Sequence, residues 1–171
     1  MKITVLALEG CFDTGLSAIL DAFTTANELA AMDRAAEGQP FDVTVVGVRP
    51  DVRTGLGMRV PVQAVADMGT PDWLVMPAIA TKMPEQLLPA LARPDVADAM
   101  ALLRDSHASG VKIAAACIGT FVLAESGLLN GHEATTSWWL APLFRERYPD
   151  VRLDSTCLLY TSPSPRDLST S

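Results

Sequence analysis

The chain has 171 residues, 49% of them hydrophobic and 19% charged, with a formal net charge of −7. That composition suits a single globular domain with a sizeable core and excludes a disordered chain. The acidic balance and the lack of a basic arm argue against a nucleic-acid surface, and no apolar run is long enough to span a bilayer.

The N-terminus enters a strand pattern at once. Ile3 to Leu8 is aliphatic and β-branched, as in a central strand buried on both faces. The turn Glu9 to Gly15 follows, and then Leu16, Ile19, Leu20, Phe23 and Ala30 recur at helical spacing. The spacing predicts a helix to about Ala36, ended by Gly38 and Pro40. Phe41 to Val46 reads as a second strand, Arg49 to Gly57 as a loop, and Val60-Pro61-Val62 as a short edge strand. Trp73 to Met76 is a third buried strand, stopped by Pro77. Val96, Ala99, Met100 and Leu103 mark a helix that starts at Pro94-Asp95 and ends at Gly110.

Val111 to Ala116 is the next strand, followed by a helix from Gly119 to Ser126 that Gly127 closes. Leu128 to Thr136 is turn plus a short strand. A last helix begins near Pro142 and ends at Tyr148-Pro149-Asp150, and Val151 starts another strand. Strands alternating with helices predict an α/β fold with a mostly parallel sheet. Ligands in such sheets sit beyond the carboxyl ends of the strands, which points to the loops Glu9–Gly15 and Cys117–Thr120.

Three cysteines, Cys11, Cys117 and Cys157, fit neither a zinc site nor a disulfide framework, so reduced thiols in the cytoplasm are the simplest reading. The first apolar run is too short for a signal peptide. Cys117 stands on a strand-to-helix elbow after Ala114-Ala115-Ala116 and before Ile118-Gly119. The N–H groups of the following helix would favour its thiolate and offer an oxyanion hole. The plainer reading is a small buried residue at a strand end. Cys11 shares the first loop; a redox pair with Cys117 is conceivable, but two unrelated small residues are the favoured reading.

The run Ala115-Ala116-Cys117-Ile118-Gly119-Thr120-Phe121-Val122-Leu123-Ala124-Glu125, with Gly127-Leu128-Leu129, Ala134-Thr135-Thr136, Trp138-Trp139-Leu140-Ala141-Pro142 and Arg147-Tyr148-Pro149, resembles one family. It is the ThiJ/PfpI domain of the class I glutamine amidotransferase-like fold, as found at the N-terminus of AraC-type transcriptional regulators. The resemblance covers Met1 to about Asp154. It implies a flavodoxin-like three-layer sandwich, usually dimeric, that senses an unknown small-molecule ligand without a cofactor or metal. In such regulators a C-terminal helix-turn-helix region binds DNA, and that region is absent from this sequence.

Catalytic relatives use the elbow cysteine with an acid from the first loop and often a histidine. Here the acids on offer are Glu9 and Asp13, although Asp13-Thr14-Gly15 reads more simply as a helix N-cap. Where many relatives carry histidine, this chain has Ser137, which cannot act as a general base near neutral pH. His132 reads as a solvated turn residue and His107 as a helix C-terminal one. The expectation is a non-catalytic sensor and dimerisation domain whose pocket includes Gly10, Cys117, Ile118, Gly119 and Ser137. The alternative is a cysteine-dependent hydrolase or hydratase, or a redox-responsive protein, acting through Cys117. The loop Arg49–Gly57 and the segment Ala78–Glu85 are expected to line the pocket. Trp138, Trp139 and Leu140 are expected to pack under the last helix or at a dimer contact. Cys157 to Ser171 resembles translated sequencing-adapter sequence, so the domain is expected to span residues 1–156, truncated at its C-terminal end, with 157–171 a disordered or non-native tail.

Overall fold

The computed structural model describes residues 1–32 and 40–155. In chain order the elements are β1 (Lys2–Ala7), α1 (Asp13–Met32), β2 (Asp42–Gly47), β3 (Val52–Arg53), β4 (Arg59–Val60), β5 (Gln63–Ala64), β6 (Trp73–Met76), α2 (Pro84–Leu91), α3 (Pro94–Ala108), β7 (Lys112–Ala115), α4 (Gly119–Glu125), β8 (Glu133–Ala134), α5 (Ala141–Arg147) and β9 (Arg152–Leu153). The predicted C-terminal end of the first helix, Ala36 with Gly38, and the expected tail from Cys157 lie outside the described residues.

Among the described residues, five strands form one parallel sheet in the order β5-β2-β1-β6-β7. The four longer strands therefore follow the flavodoxin order, with β1 at the centre and crossovers reversing beside it. Ile3 to Leu8 is buried throughout, as a strand covered on both faces requires. On one face Ile3, Val5 and Ala7 pack with Leu16 of α1 and the half-buried Phe23, Val43 and Val45. On the other, Leu6, Leu74 and Met76 meet Leu87 of α2, Leu103 of α3 and Phe121 of α4. Phe121, Phe144 and Tyr148 close that layer through edge-to-face contacts, with Phe121 and Phe144 at 4.9 Å between centroids. The molecule is thus a three-layer α/β sandwich.

Two local expectations change, and one helix was not anticipated. The segment Arg49–Gly57 is not loop alone, because Val52–Arg53 pairs antiparallel with Arg59–Val60. Val60 goes into that hairpin, and Gln63–Ala64 takes the sheet edge. Helix α2 was masked in the sequence by Pro84 and Pro89. Pro84 sits in its first turn, where no N–H is needed, and Leu87, Ala90 and Leu91 bury one face at helical spacing.

The crossover from β7 to α4 leaves no room for a side chain on the first residue of α4. A Cβ built on Gly119 would lie 2.6 Å from the Pro77 carbonyl oxygen and 2.7 Å from that of Met76. Both obstacles are backbone at the end of β6, so they cannot swing away as a side chain would. Gly119→Ala is expected to lower stability by about 2–4 kcal/mol through backbone displacement. Urea denaturation checks this; an unchanged midpoint would mean that α4 is free to shift.

Candidate functional site

Strand β7 stops where the Ala116 N–H donates to the Met76 carbonyl at 3.0 Å. The next residue, Cys117, turns the chain at φ 54°, the only positive φ on a non-glycine residue among the described residues. That left-handed conformation is unfavourable for a side chain with a Cβ. It is held by the turn around it: Gly119 N donates to Ala116 O at 2.9 Å, Thr120 N to Cys117 O at 3.2 Å and Phe121 N to Ile118 O at 3.0 Å. These bonds occupy three of the amides on which the expected oxyanion hole could have drawn. The amides of Gly119, Thr120 and Phe121 are spent on the elbow itself.

The Cys117 thiol is exposed and opens into a groove of about 840 Å³ along the outer edge of β7. Trp73, Ala114, Ala116, Leu129, Trp138 and Trp139 supply much of its apolar wall. At its thiol end, Cys117 Sγ lies 3.1 Å from Ser137 Oγ, and Thr136 Oγ1 donates to the Cys117 carbonyl at 3.4 Å. The far wall is anchored from beneath. Tyr148 Oη donates to Glu125 Oε1 at 2.8 Å, tying α5 to α4, and Arg147 Nε donates to the same oxygen. Burial, then the Glu125 carboxylate, pushes the Tyr148 phenol well above its ordinary range.

Trp138 and Trp139 do not pack under the last helix, one of the two placements expected for them. Leu140 is fully buried in the core, whereas Trp138 is 75% exposed. Trp139 Nε1 donates to the Lys82 carbonyl at 2.9 Å and fixes its ring against Trp138. The loop Arg49–Gly57 and the segment Ala78–Glu85 do not line the groove either. They brace the first loop instead: Phe12 N donates to Ala78 O, Ala80 N to Gly10 O and Gly55 N to Cys11 O.

Both first-loop acids serve that bracing. Glu9 Oε2 accepts from Arg53 N at 2.9 Å, and the Glu9 carbonyl accepts from Arg93 Nη2 at 2.6 Å. Buried Asp13 accepts from Leu56 N at 3.1 Å. It is not the expected N-cap, because Leu16 N donates to the Phe12 carbonyl. Of the expected pocket residues, Cys117 and Ser137 line the groove. Ile118 is packed in the core beneath it, Gly119 seats α4 on β6, and Gly10, at φ 70°, bonds through its N–H to Arg53 O. His132 and His107 are exposed and neither lines the groove. Cys11 and Cys117 are both free thiols; Cys11 is buried where the first loop bridges Thr54 and Ile79. Sequence reasoning missed Trp73, which comes beside the groove only through the pairing of β6 with β7.

A parallel sandwich with a cysteine in the left-handed turn between a sheet strand and a helix defines the class of α/β proteins built around a cysteine elbow. Within it the chain belongs to the DJ-1/PfpI family, which matches residues 1–169. An uncharacterized protein of Streptomyces lividans, from the cpoL 5′ region, is 29% identical over 153 residues, covering 86% of this chain and 95% of its own. An AraC family transcriptional regulator of Pseudomonas putida superposes with a TM-score of 0.68 at 22% identity, over 90% of this chain and 75% of that one. Oxidized DJ-1 of Toxoplasma gondii gives 0.62 at 21%, over 90% and 74%.

The buried Cys11 thiol makes stability depend on pH. Burial, followed by the neighbouring Asp13 charge, pushes the Cys11 thiol up to about 11 from an ordinary 9.0. The folded state therefore holds a proton that the unfolded chain releases, so this contribution is complete below pH 9 and is lost as pH rises towards 11. The urea midpoint should fall across that window by the equivalent of about 2 kcal/mol, and less in Cys11→Ala. Equal slopes in the two proteins would contradict the assignment.

Proposed function

We propose that this domain is the ligand-sensing, dimerising part of an AraC-type transcriptional regulator, and that it binds rather than transforms its ligand. One observation carries the reading: the partner of the Cys117 thiol is a serine hydroxyl at 3.1 Å, in a groove that neither histidine lines. A cysteine nucleophile needs a base or a positive partner to form and steer the thiolate. Ser137 supplies neither, and the Glu9 and Asp13 carboxylates are bonded to Arg53 N and Leu56 N of another segment. What is left is a mainly apolar groove with a small polar end, the usual form of a small-molecule site.

The structural likeness to the Pseudomonas putida regulator supports this reading at the level of fold. Contact with DNA would fall to a helix-turn-helix region, since a net charge of −7 opposes binding by this chain. A second reading, catalysis or redox response through Cys117, draws on its exposed thiol and positive φ.

A thermal-shift screen with neutral aromatic and aliphatic fragments tests the proposal. Binders should raise the melting temperature by a few degrees, as expected near 100-fold saturation, and lose that effect in Ala114→Trp, which fills the groove. Sedimentation should give a dimer. A monomer that no fragment stabilises would overturn the reading.

A further inference from the structure

One short segment joins the groove to the β3–β4 hairpin. Residues 77–82 leave the end of β6, and different neighbours hold the two ends of that segment. Near its start, Phe12 N donates to Ala78 O and Ala80 N to Gly10 O, both at 2.7 Å, and Cys11 bridges Ile79. At its far end the Lys82 carbonyl accepts from Trp139 Nε1 at 2.9 Å, and the Lys82 ammonium lies 5.0 Å from the centre of the Phe12 ring. Between these points Ala80 meets the hairpin. A Cβ built on Gly55 would lie 2.3 Å from the Ala80 Cβ. Gly55 has no positive φ, so glycine stands there for space and not for conformation. Ala80 therefore cannot move towards Gly55 unless the hairpin yields. The hairpin is tied in turn to the first loop, where Gly55 N donates to Cys11 O at 2.8 Å and Leu56 N to Asp13 Oδ2 at 3.1 Å.

The same contact holds unspent bonding capacity. Asp13 Oδ1 and Thr81 Oγ1 are buried and have no hydrogen-bond partner among the described residues. Thr81 follows Ala80 directly, and Asp13 Oδ2 lies 3.6 Å from the Cβ position of Gly55, so both orphans border the contact between segment and hairpin. Buried oxygens left unpaired raise the energy of the arrangement that holds them. A shift that let the Thr81 hydroxyl donate to Asp13 would relieve both.

We propose that residues 77–82 form a strap with two positions, and that Trp139 holds it in the one the structure shows. In the second position Trp139 has left the Lys82 carbonyl and Thr81 donates to Asp13. The Ala80–Gly55 contact is then altered, and the hairpin tip, with the exposed Leu56 and Met58, leaves its present place. A groove ligand that turned the Trp139 ring would select between the two positions. That last step rests on the sensing role proposed above, whereas the strap itself does not.

The experiment uses ligand-free protein, so failure of the strap and failure of ligand binding are read separately. Residue-resolved amide exchange compares the wild type with Trp139→Phe, which keeps a ring and removes the N–H donor. Exchange at Gly55 and Leu56 should quicken by about threefold or more, with Val5 of the central strand unchanged. Adding Thr81→Val, which removes the hydroxyl that captures the second position, should bring both rates back towards the wild type. Coupling is reciprocal, so Gly55→Ala should shift the Trp139 indole N–H resonance and quicken its exchange. Faster exchange confined to residues 80–85, an equal increase at Val5, no relief in the double variant, or a Trp139 indole unmoved by Gly55→Ala would each overturn the proposal.

Discussion

The close approach of Gly119 to the last carbonyls of β6 is the constraint on which the site depends. With 2.6 Å from a built Cβ to the Pro77 oxygen, only glycine lets α4 begin there. Because α4 starts so near the sheet, the chain must turn within two residues of the end of β7, and Cys117 takes up that turn at φ 54°. Three amides of the elbow, those of Gly119, Thr120 and Phe121, are used in making it. The same geometry that exposes the thiol therefore removes part of what a catalytic thiol would use.

The second determinant is the place of β7 in the strand order. A strand in the middle of the sheet would have buried Ala114–Ala116 between neighbours; at the edge of the sheet that the described residues form, these small residues become the floor of a groove. The far wall is positioned from a distance, through the Tyr148–Glu125 bond and the burial of Leu140 and Phe144. Trp138 and Trp139 are presented to solvent because the residue after them is the one anchored in the core. Depth, shape and polarity of the groove thus follow from packing two layers away from the thiol.

Much of the architecture was legible from periodicity. The buried run of β1, the stripe of α1, the Pro94 start of α3 and the elbow each carry a local signal that the tertiary structure respects. The hairpin of β3 and β4 and the helix α2 were not legible, since pairs of two-residue strands have no period and Pro89 interrupts the helical pattern. Cys117 was found by its place between strand and helix and by the family resemblance, and Ser137 by the resemblance alone. The roles of Glu9 and Asp13 were not, because each carboxylate is claimed by the backbone of Arg53 or Leu56, some forty residues further along the chain. A sequence window cannot contain such a contact, and the groove walls were hidden for the same reason.

The account holds that Cys117 lies in a binding groove and does no chemistry there. The direct measurement is steady-state turnover of p-nitrophenyl acetate and of small amide substrates by the wild-type protein and by Cys117→Ala. The account predicts rates for the two proteins that agree within error, with no burst of product on mixing. A burst equal to the protein concentration, or sustained turnover that Cys117→Ala abolishes, would contradict it.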